Sequence, residues 1–183
     1  TNATSVVPSP IPVATRAEIS LLEPYSVADL SGFNKSASVR HTNDADILRM
    51  VVEVVKIEGL VSQETVIRRI RERYESHRRL VGSTKEKVVA SIRRAVREGG
   101  VSLVEDFLYS DTIQLSNPPR RRGDREISDI SPNELTRAIN VVRTHFPYLQ
   151  QDELIKEITT QLGYSRVGST IRSVLSGLID GNS

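Results

Sequence analysis

The sequence is dominated by a helical pattern that occurs twice, and one short segment is identical in both copies. The tetrapeptide Val-Gly-Ser-Thr stands at residues 81–84 and again at residues 167–170. Around both copies, apolar residues recur at spacings of three and four, which is typical of amphipathic α-helices. Each copy falls between the second and third predicted helices of its own set. We therefore predict a tandem of two trihelical units with a common architecture.

The first trihelical set is marked by clear signals for where helices begin and end. Its first helix begins at Asp44, and Ser62 is placed to cap its second helix. At the third helix, Ser83 and Glu86 form an S-x-x-E pattern that predicts a capping box. Two glycines at residues 99–100 end that helix. We expect the three apolar stripes to pack against one another.

Short β-prone stretches follow the third helix. Residues 101–109 and 112–115 are rich in aliphatic, aromatic and β-branched side chains, and a turn is predicted between them at Ser110 and Asp111. Three helices followed by a hairpin is the order of elements in a winged helix. The predicted fold class is therefore mainly α, with tandem winged-helix or helix-turn-helix-like units and one small β-hairpin.

The second trihelical set begins with an equally specific signal. Ser131 is predicted as the N-cap, with Pro132 in the first turn and Glu134 closing a capping box. Two further helices are predicted to end at Gly163 and Gly181. No hairpin pattern follows in this sequence, so we describe this set as helix-turn-helix-like.

These patterns divide the chain into four segments. Residues 1–43 contain four prolines among small polar residues, which predicts an extended N-terminal arm or linker with little regular structure. Residues 44–115 form the winged-helix-like unit 1, residues 116–130 a polar connector, and residues 131–183 the helix-turn-helix-like unit 2. Because units this small bury only about 60% of their unfolded surface, we expect them to pack together, with the arm at the seam.

The composition argues against several kinds of functional site. The chain of 183 residues has no Cys and three His, which excludes thiolate sites and argues against a histidine-rich metal centre. No convergent catalytic set is recognisable, so we expect no enzyme activity, metal, cofactor or small-molecule substrate. No apolar run approaches the ~20 residues that cross a bilayer, and no signal peptide is visible, so we expect a cytoplasmic protein without a membrane partner. Because the sequence begins with Thr1, we expect a fragment of a longer protein.

Positive charge is concentrated in one part of the chain. The net charge is only +2, but residues 68–97 hold eleven Lys and Arg against three Glu. A helical projection of the third helix places its basic side chains opposite the apolar face, with the small Ala90 between them. Such a face suits close approach to the phosphates of DNA, and the expected partner is duplex or forked DNA. The candidate nucleic-acid-binding residues are Arg78, Arg79, Lys85, Lys87, Arg93, Arg94, Arg97, Arg120, Arg121 and Arg122.

A protein-docking role is the alternative to DNA contact. The predicted hairpin carries Glu105 and Asp106 near its tip, where carboxylates repel phosphate. The third helix of the second set offers Arg172 as its one arginine. Since winged helices also serve as protein–protein modules, the fold class is compatible with a docking module that makes no direct DNA contact.

Several motifs together resemble one known family. They are the segments at residues 57–61, 66–74, 107–109 and 130–139 and the two turns that contain Val-Gly-Ser-Thr. Over residues 44–180 the chain resembles an uncharacterised C-terminal domain of large bacterial proteins, which join a superfamily 1 helicase-like ATPase to a Vsr-like endonuclease domain. The resemblance implies an accessory domain in DNA processing or defence, with the helicase and nuclease parts as partners, and it brings no catalytic residues.

Overall fold

The computed structural model describes residues 20–33, 38–74, 82–110 and 112–181. It confirms the prediction of a mainly helical protein with a small β-sheet. The α-helices in the described part of the chain are α1 (Asp44–Glu58), α2 (Gln63–Arg73), α3 (Gly82–Arg97), α4 (Pro132–His145), α5 (Gln151–Leu162) and α6 (Ser169–Gly181).

A small antiparallel sheet lies beside the first three helices. Its strands are β1 (Val61–Ser62), β2 (Ser102–Val104) and β3 (Phe107–Tyr109). The order is β1-β3-β2, so β3 is central and pairs with both neighbours. Strand β1, between α1 and α2, was not predicted, because two residues carry no readable alternation.

The hairpin of β2 and β3 turns earlier in the chain than predicted. Glu105 has a φ of 53°, and this left-handed residue makes the turn between the two strands. Residues Thr112–Leu115 form a 3-10 helix instead of a strand. The amide of Ser110 donates to Oε1 of Gln114 at 2.8 Å, which holds this helical turn against the end of β3.

Two predicted helix starts in the first set have different outcomes. Oγ of Ser62 accepts a hydrogen bond from the amide of Thr65 at 3.1 Å, which confirms the predicted cap of α2. Helix α3 begins at Gly82, whose φ of 54° makes the left-handed turn into the helix. Ser83 therefore lies inside the first turn, and the capping box predicted for Ser83 and Glu86 is wrong.

Each helical set encloses its own aliphatic core. Helices α1, α2 and α3 all pack against one another, and so do α4, α5 and α6. The first core contains Ile47, Val51, Val54, Val66, Ile70, Val88 and Ile92, all buried. The second core contains Leu135, Ile139, Val142, Ile155, Ile158 and Leu175, also buried.

Residues 20–33 of the N-terminal arm touch both cores without forming a helix or a named strand, whereas Val39–His41, near the end of the arm, form a 3-10 helix. Leu22 is buried in the second core, whereas Leu30 is buried in the first. Between Leu22 and Leu30, the amide of Glu23 donates to the carbonyl of Pro119 at 3.0 Å. The carbonyl of Glu23 accepts from the amide of Arg121 at 2.7 Å. The arm and the connector therefore run side by side and link the two helical sets.

The start of α4 is capped as predicted, but one of its side chains has a different role. Oγ of Ser131 accepts from the amide of Glu134 at 3.1 Å, with Pro132 in the first turn. The carboxylate of Glu134 does not return to the backbone of Ser131, so the predicted capping box is incomplete. Instead it is buried and accepts hydrogen bonds from Arg120 and Arg125. The stronger charge of two guanidinium groups outcompetes a single backbone amide.

Candidate nucleic-acid interface

The basic stretch at residues 68–97 is divided by the fold into an inward and an outward part. Arg69 on α2 is 3% exposed, and its guanidinium contacts Glu58 and Asp124, each at 2.6 Å. Arg68, one residue earlier, pairs with Asp129 at 3.2 Å. Because these cations are neutralised by carboxylates inside the protein, the arginines at the centre of α2 add little to the outward field.

Helix α3 presents the outward part of the basic stretch. Its core face carries Val88 and Ile92, which are 0% and 1% exposed. On the other side, Arg93, Arg97 and the small Ala90 are exposed to solvent. Within the described ranges of the chain, no carboxylate lies within ion-pair distance of Arg93 or Arg97. Both guanidinium groups are therefore available to an external anion.

Two other cations of α3, Arg94 and Lys85, are paired with exposed carboxylates. Nε of Arg94 donates to Glu98 at 2.7 Å, and this hydrogen bond raises the pKa of Arg94. Nζ of Lys85 lies 3.2 Å from Glu64 in an exposed pair. Exposed pairs of this kind are weak because solvent screens them, so a phosphate can compete for these cations.

Lys87 is held more firmly than the other cations of α3. Its ammonium lies 3.3 Å from Asp44 and donates to the carbonyl of Thr42 at 2.5 Å. A second carbonyl, that of Arg40, accepts at 3.3 Å. Three partners match the three donors of an ammonium group. Lys87 therefore ties α3 to the start of α1 and contributes its charge to the surface from a fixed position.

These side chains surround a cleft of about 400 Å³ on the outer face of α3. Its lining is mainly cationic and contains one carboxylate, that of Asp44. The lining residues are Asp44, Lys87, Ala90, Ser91, Arg93, Arg94 and Arg97. Guanidinium groups around a cleft with small residues at its base can contact phosphate oxygens in a bidentate manner.

The connector arginines lie outside the α3 cleft. Arg120 donates to both oxygens of Glu134, at 3.0 and 3.1 Å, so its charge is neutralised internally. Arg122 stacks on the ring of Tyr164 at 4.7 Å from the centroid. Arg121 is exposed and lines a different cleft with Arg122 and Gly163. The remaining two predicted residues, Arg78 and Arg79, lie outside the described residues.

Sequence reasoning missed a group of charges at the junction of the two helical sets, all buried or half-buried except Asp124, whose side chain is 49% exposed. We call this group the buried ionic cluster, and its members are Tyr25, Glu58, Arg69, Arg120, Asp124, Arg125 and Glu134. Glu58 is completely buried and accepts from Arg69 and from the hydroxyl of Tyr25. The amide of Ala28 also donates to Glu58, at 3.0 Å. The end of α1 is thereby fixed to the arm and to α2.

The second half of the buried ionic cluster is centred on Glu134. Arg125 is 0% exposed and donates to Glu134 at 2.9 Å. The ring of Tyr25 lies beneath two guanidinium groups, with Arg125 at 4.0 Å and Arg120 at 5.1 Å from its centroid. Gly123 has a φ of 62°, and a Cβ there would lie 2.7 Å from the ring of Tyr25. The connector is thus a structural element held between arm and helices.

Two carboxylates of the buried ionic cluster, those of Asp124 and Glu134, have lowered pKa values that favour the charged form. The hydrogen bond from Arg69 lowers the pKa of Asp124. Burial alone would raise the pKa of Glu134, but Arg125 and Arg120 outweigh it and lower the pKa. Burial, together with the nearby charge of Glu58, raises the pKa of Tyr25 well above its usual value. All of these groups are therefore held in one protonation state at neutral pH.

Stability is expected to fall in acid as these carboxylates are protonated. The pKa of such a carboxylate is lower in the folded protein than in the unfolded chain, where it is about 3.9 for Asp and 4.3 for Glu. The carboxylate therefore stabilises the fold fully above its unfolded-state pKa. This stabilisation is lost as the pH falls through the folded-state pKa. Thermal unfolding followed by circular dichroism should give a constant midpoint from pH 7 to about pH 5 and a steep decrease below about pH 4. Asp124→Asn should make this decrease shallower. If the midpoint of the variant falls as steeply below about pH 4 as that of the unmodified chain, protonation of Asp124 does not contribute to the loss of stability.

The described residues contain neither a metal-binding group nor a helix that could span a membrane. In residues 20–33, 38–74, 82–110 and 112–181, no three His, Asp or Glu side chains are grouped to hold a metal ion. No helix within the same ranges combines the length and apolarity needed to span a bilayer. Comparison with protein-family models, with curated proteins and with solved structures finds no match to this chain.

Proposed function

We propose that this chain is a non-catalytic accessory module that contacts the backbone of duplex DNA through the outer face of α3. The observation that carries the proposal is the position of Arg93 and Arg97. Both are exposed, neither has a carboxylate partner in the part of the chain that the structure describes, and both line the cleft on α3. Arg94 lies beside them in a weak exposed pair with Glu98.

The order of elements supports a winged-helix-like reading of unit 1. In chain order the elements are α1, β1, α2, α3, β2 and β3. In DNA-binding helix-turn-helix proteins the recognition helix is the one that enters the major groove, with other elements on the backbone. On this reading α3 is the recognition helix, and its exposed Ala90 allows close approach to the duplex.

Duplex DNA fits the α3 cleft better than a single strand. Proteins that bind single strands without sequence preference combine a basic groove with aromatic side chains on which bases stack. The cleft lining contains Lys, Arg, Ala, Ser and Asp but no aromatic residue. Its chemistry is therefore directed to phosphates, which a rigid duplex presents at regular spacing.

The resemblance described for residues 44–180 supports a role for the module within a larger DNA-processing protein. We propose that the chain serves a larger DNA-processing protein, of the kind that joins a helicase-like ATPase to a nuclease domain, in DNA repair or in defence against foreign DNA. In that setting the module holds DNA near the catalytic parts. The chemistry itself belongs to other domains of such a protein.

The proposal predicts salt-dependent binding to duplex DNA. Three phosphate contacts, by Arg93, Arg94 and Arg97, correspond to a slope of about −3 in a plot of log affinity against log salt. The measurement is fluorescence anisotropy of a labelled duplex of about 20 base pairs at several salt concentrations, with the single strand of the same sequence as control. We expect the duplex to bind more tightly than the single strand. Absence of binding at low salt, or equal binding of both forms, would contradict the proposal.

A further inference from the structure

A second surface, which shares no residue with the α3 cleft, is an apolar groove between the sheet and the second helical set. The groove has a volume of about 440 Å³. Its lining includes Phe107 of β3, Leu135 of α4, and Val174 and Leu178 of α6. Because both helical sets contribute to it, the groove exists only when the two are packed together. A lining of this kind favours an apolar ligand over nucleic acid.

The shape of the groove suits a helix. Ser173 and Gly177 lie four residues apart on α6, and both line the groove. Ser173 is exposed, and a Cβ added at Gly177 would meet no atom within 4 Å. Small residues one turn apart let the backbone of a second helix approach α6 closely, while its apolar side chains fill the space above Leu135.

Two acidic residues directly precede Phe107, which lines the groove. Glu105 and Asp106, in the turn that precedes Phe107, are exposed and have no basic partner within ion-pair distance in the described residues. Arg172, which is adjacent in sequence to the lining residue Ser173, is paired with Asp152. The hairpin turn therefore offers two unpaired carboxylates to a positively charged side chain beside the groove.

Within the described residues, the surface of this chain does not supply such an occupant to a second copy. Its exposed large apolar residues in the described ranges are Val27, Ile57, Leu103, Val104 and Tyr148. Of these, only Ile57 lies in a helix, at the end of α1. A helix that fills the groove needs several apolar residues on one face, and no described helix exposes such a face, so we assign the occupant to another protein.

We propose that the groove binds an amphipathic helix of a second protein, apolar on one face and carrying Lys or Arg beside that face. Apolar side chains of this helix enter the groove between Phe107 and α6, and a basic side chain pairs with Glu105 or Asp106. The interaction is independent of DNA contact at α3. The module thereby has two separate surfaces, one for a polyanion and one for a protein partner.

The test uses two labelled synthetic helices of about 18 residues, one built of Leu and Lys and the other of Leu and Glu in the same pattern. Fluorescence anisotropy with the full chain should show the Leu–Lys helix binding at least about tenfold more tightly than the Leu–Glu helix. Gly177→Arg, which fills the groove with a repelling charge, should weaken Leu–Lys binding at least about tenfold. Ser173→Arg should do the same if Gly177→Arg alters the fold seen by circular dichroism.

The matched control is Thr170→Arg, which adds the same charge to an exposed position of α6 outside the groove. It should leave binding of the Leu–Lys helix unchanged within about twofold. Equal binding of the two helices, equal effects of Thr170→Arg and Gly177→Arg, or no binding at all would overturn the proposal. A dimer in sedimentation experiments that Gly177→Arg dissociates would also overturn it, because the occupant would then be a second copy. None of these outcomes depends on whether the α3 cleft binds DNA.

Discussion

Replacing Glu134 by alanine is expected to destabilise the protein by about 3–5 kcal/mol, the typical effect of leaving a buried charge without its partner. Glu134 is 2% exposed in its side chain and lies between Arg120 and Arg125. Without it, the fully buried Arg125 keeps its charge and retains only backbone carbonyls as acceptors. This is the largest effect expected from any single substitution at the junction of the two helical sets.

Urea unfolding followed by circular dichroism measures this loss directly. The matched control is Glu64→Ala, which removes a carboxylate that is 64% exposed and paired with Lys85. We expect the control to change the free energy of unfolding by less than about 1 kcal/mol. Equal effects of Glu134→Ala and Glu64→Ala would show that the buried ionic cluster does not stabilise the junction.

Reversing the charge at Arg93 and Arg97 together is expected to weaken duplex binding by about a hundredfold or more at low salt. Each change removes an attraction to phosphate and introduces a repulsion in the same cleft. Both side chains are exposed, so Arg93→Glu/Arg97→Glu should leave the helical content of the protein unchanged. Anisotropy titration of the labelled duplex measures the effect.

A control variant with the same change of net charge distinguishes DNA binding at α3 from general attraction of DNA by the charge of the whole chain. Lys156 on α5 and Arg166 before α6 are exposed and lie outside the α3 cleft. Lys156→Glu/Arg166→Glu should weaken binding by only about threefold, through the long-range field. If this control weakens binding as much as the α3 variant, DNA is attracted by the whole chain rather than held at α3.

Local signals in the sequence predicted most of the helices. Ser62 and Ser131 cap α2 and α4 as expected, and Gly163, with a left-handed φ of 92°, ends α5. These signals are readable because a cap or a stop depends on residues within one turn. Strand β1 was missed because its two residues become a strand only through pairing with β3.

Long-range ion pairs could not be predicted in the same way. Arg120 looked like part of a solvated basic run, but its partner Glu134 is fourteen positions away and looked like a capping residue. Arg69 and Asp124 are separated by 55 positions, and neither sequence context marks the other. One feature of the sequence could have indicated internal ion pairs, namely the mixture of acidic and basic residues in the connector. A segment that only follows DNA needs no carboxylates.

The outward face of α3 was predicted more successfully than the pairing of its charges. Periodicity placed Val88 and Ile92 inward, and both are buried. The same periodicity placed Arg93 and Arg97 outward, where they are exposed. It could not show that Lys87 is fixed by Asp44, because that contact joins α3 to the start of α1.

The central claim is that Arg93 and Arg97 contact phosphates, and the salt dependence of binding tests it most directly because its slope counts such contacts. Duplex affinity should be measured across salt concentrations for the unmodified chain and for Arg93→Ala/Arg97→Ala. Since each lost phosphate contact reduces the slope by about 0.9, the variant should show a slope shallower by about 2. A variant that binds duplex DNA with the same slope as the unmodified chain would contradict the claim.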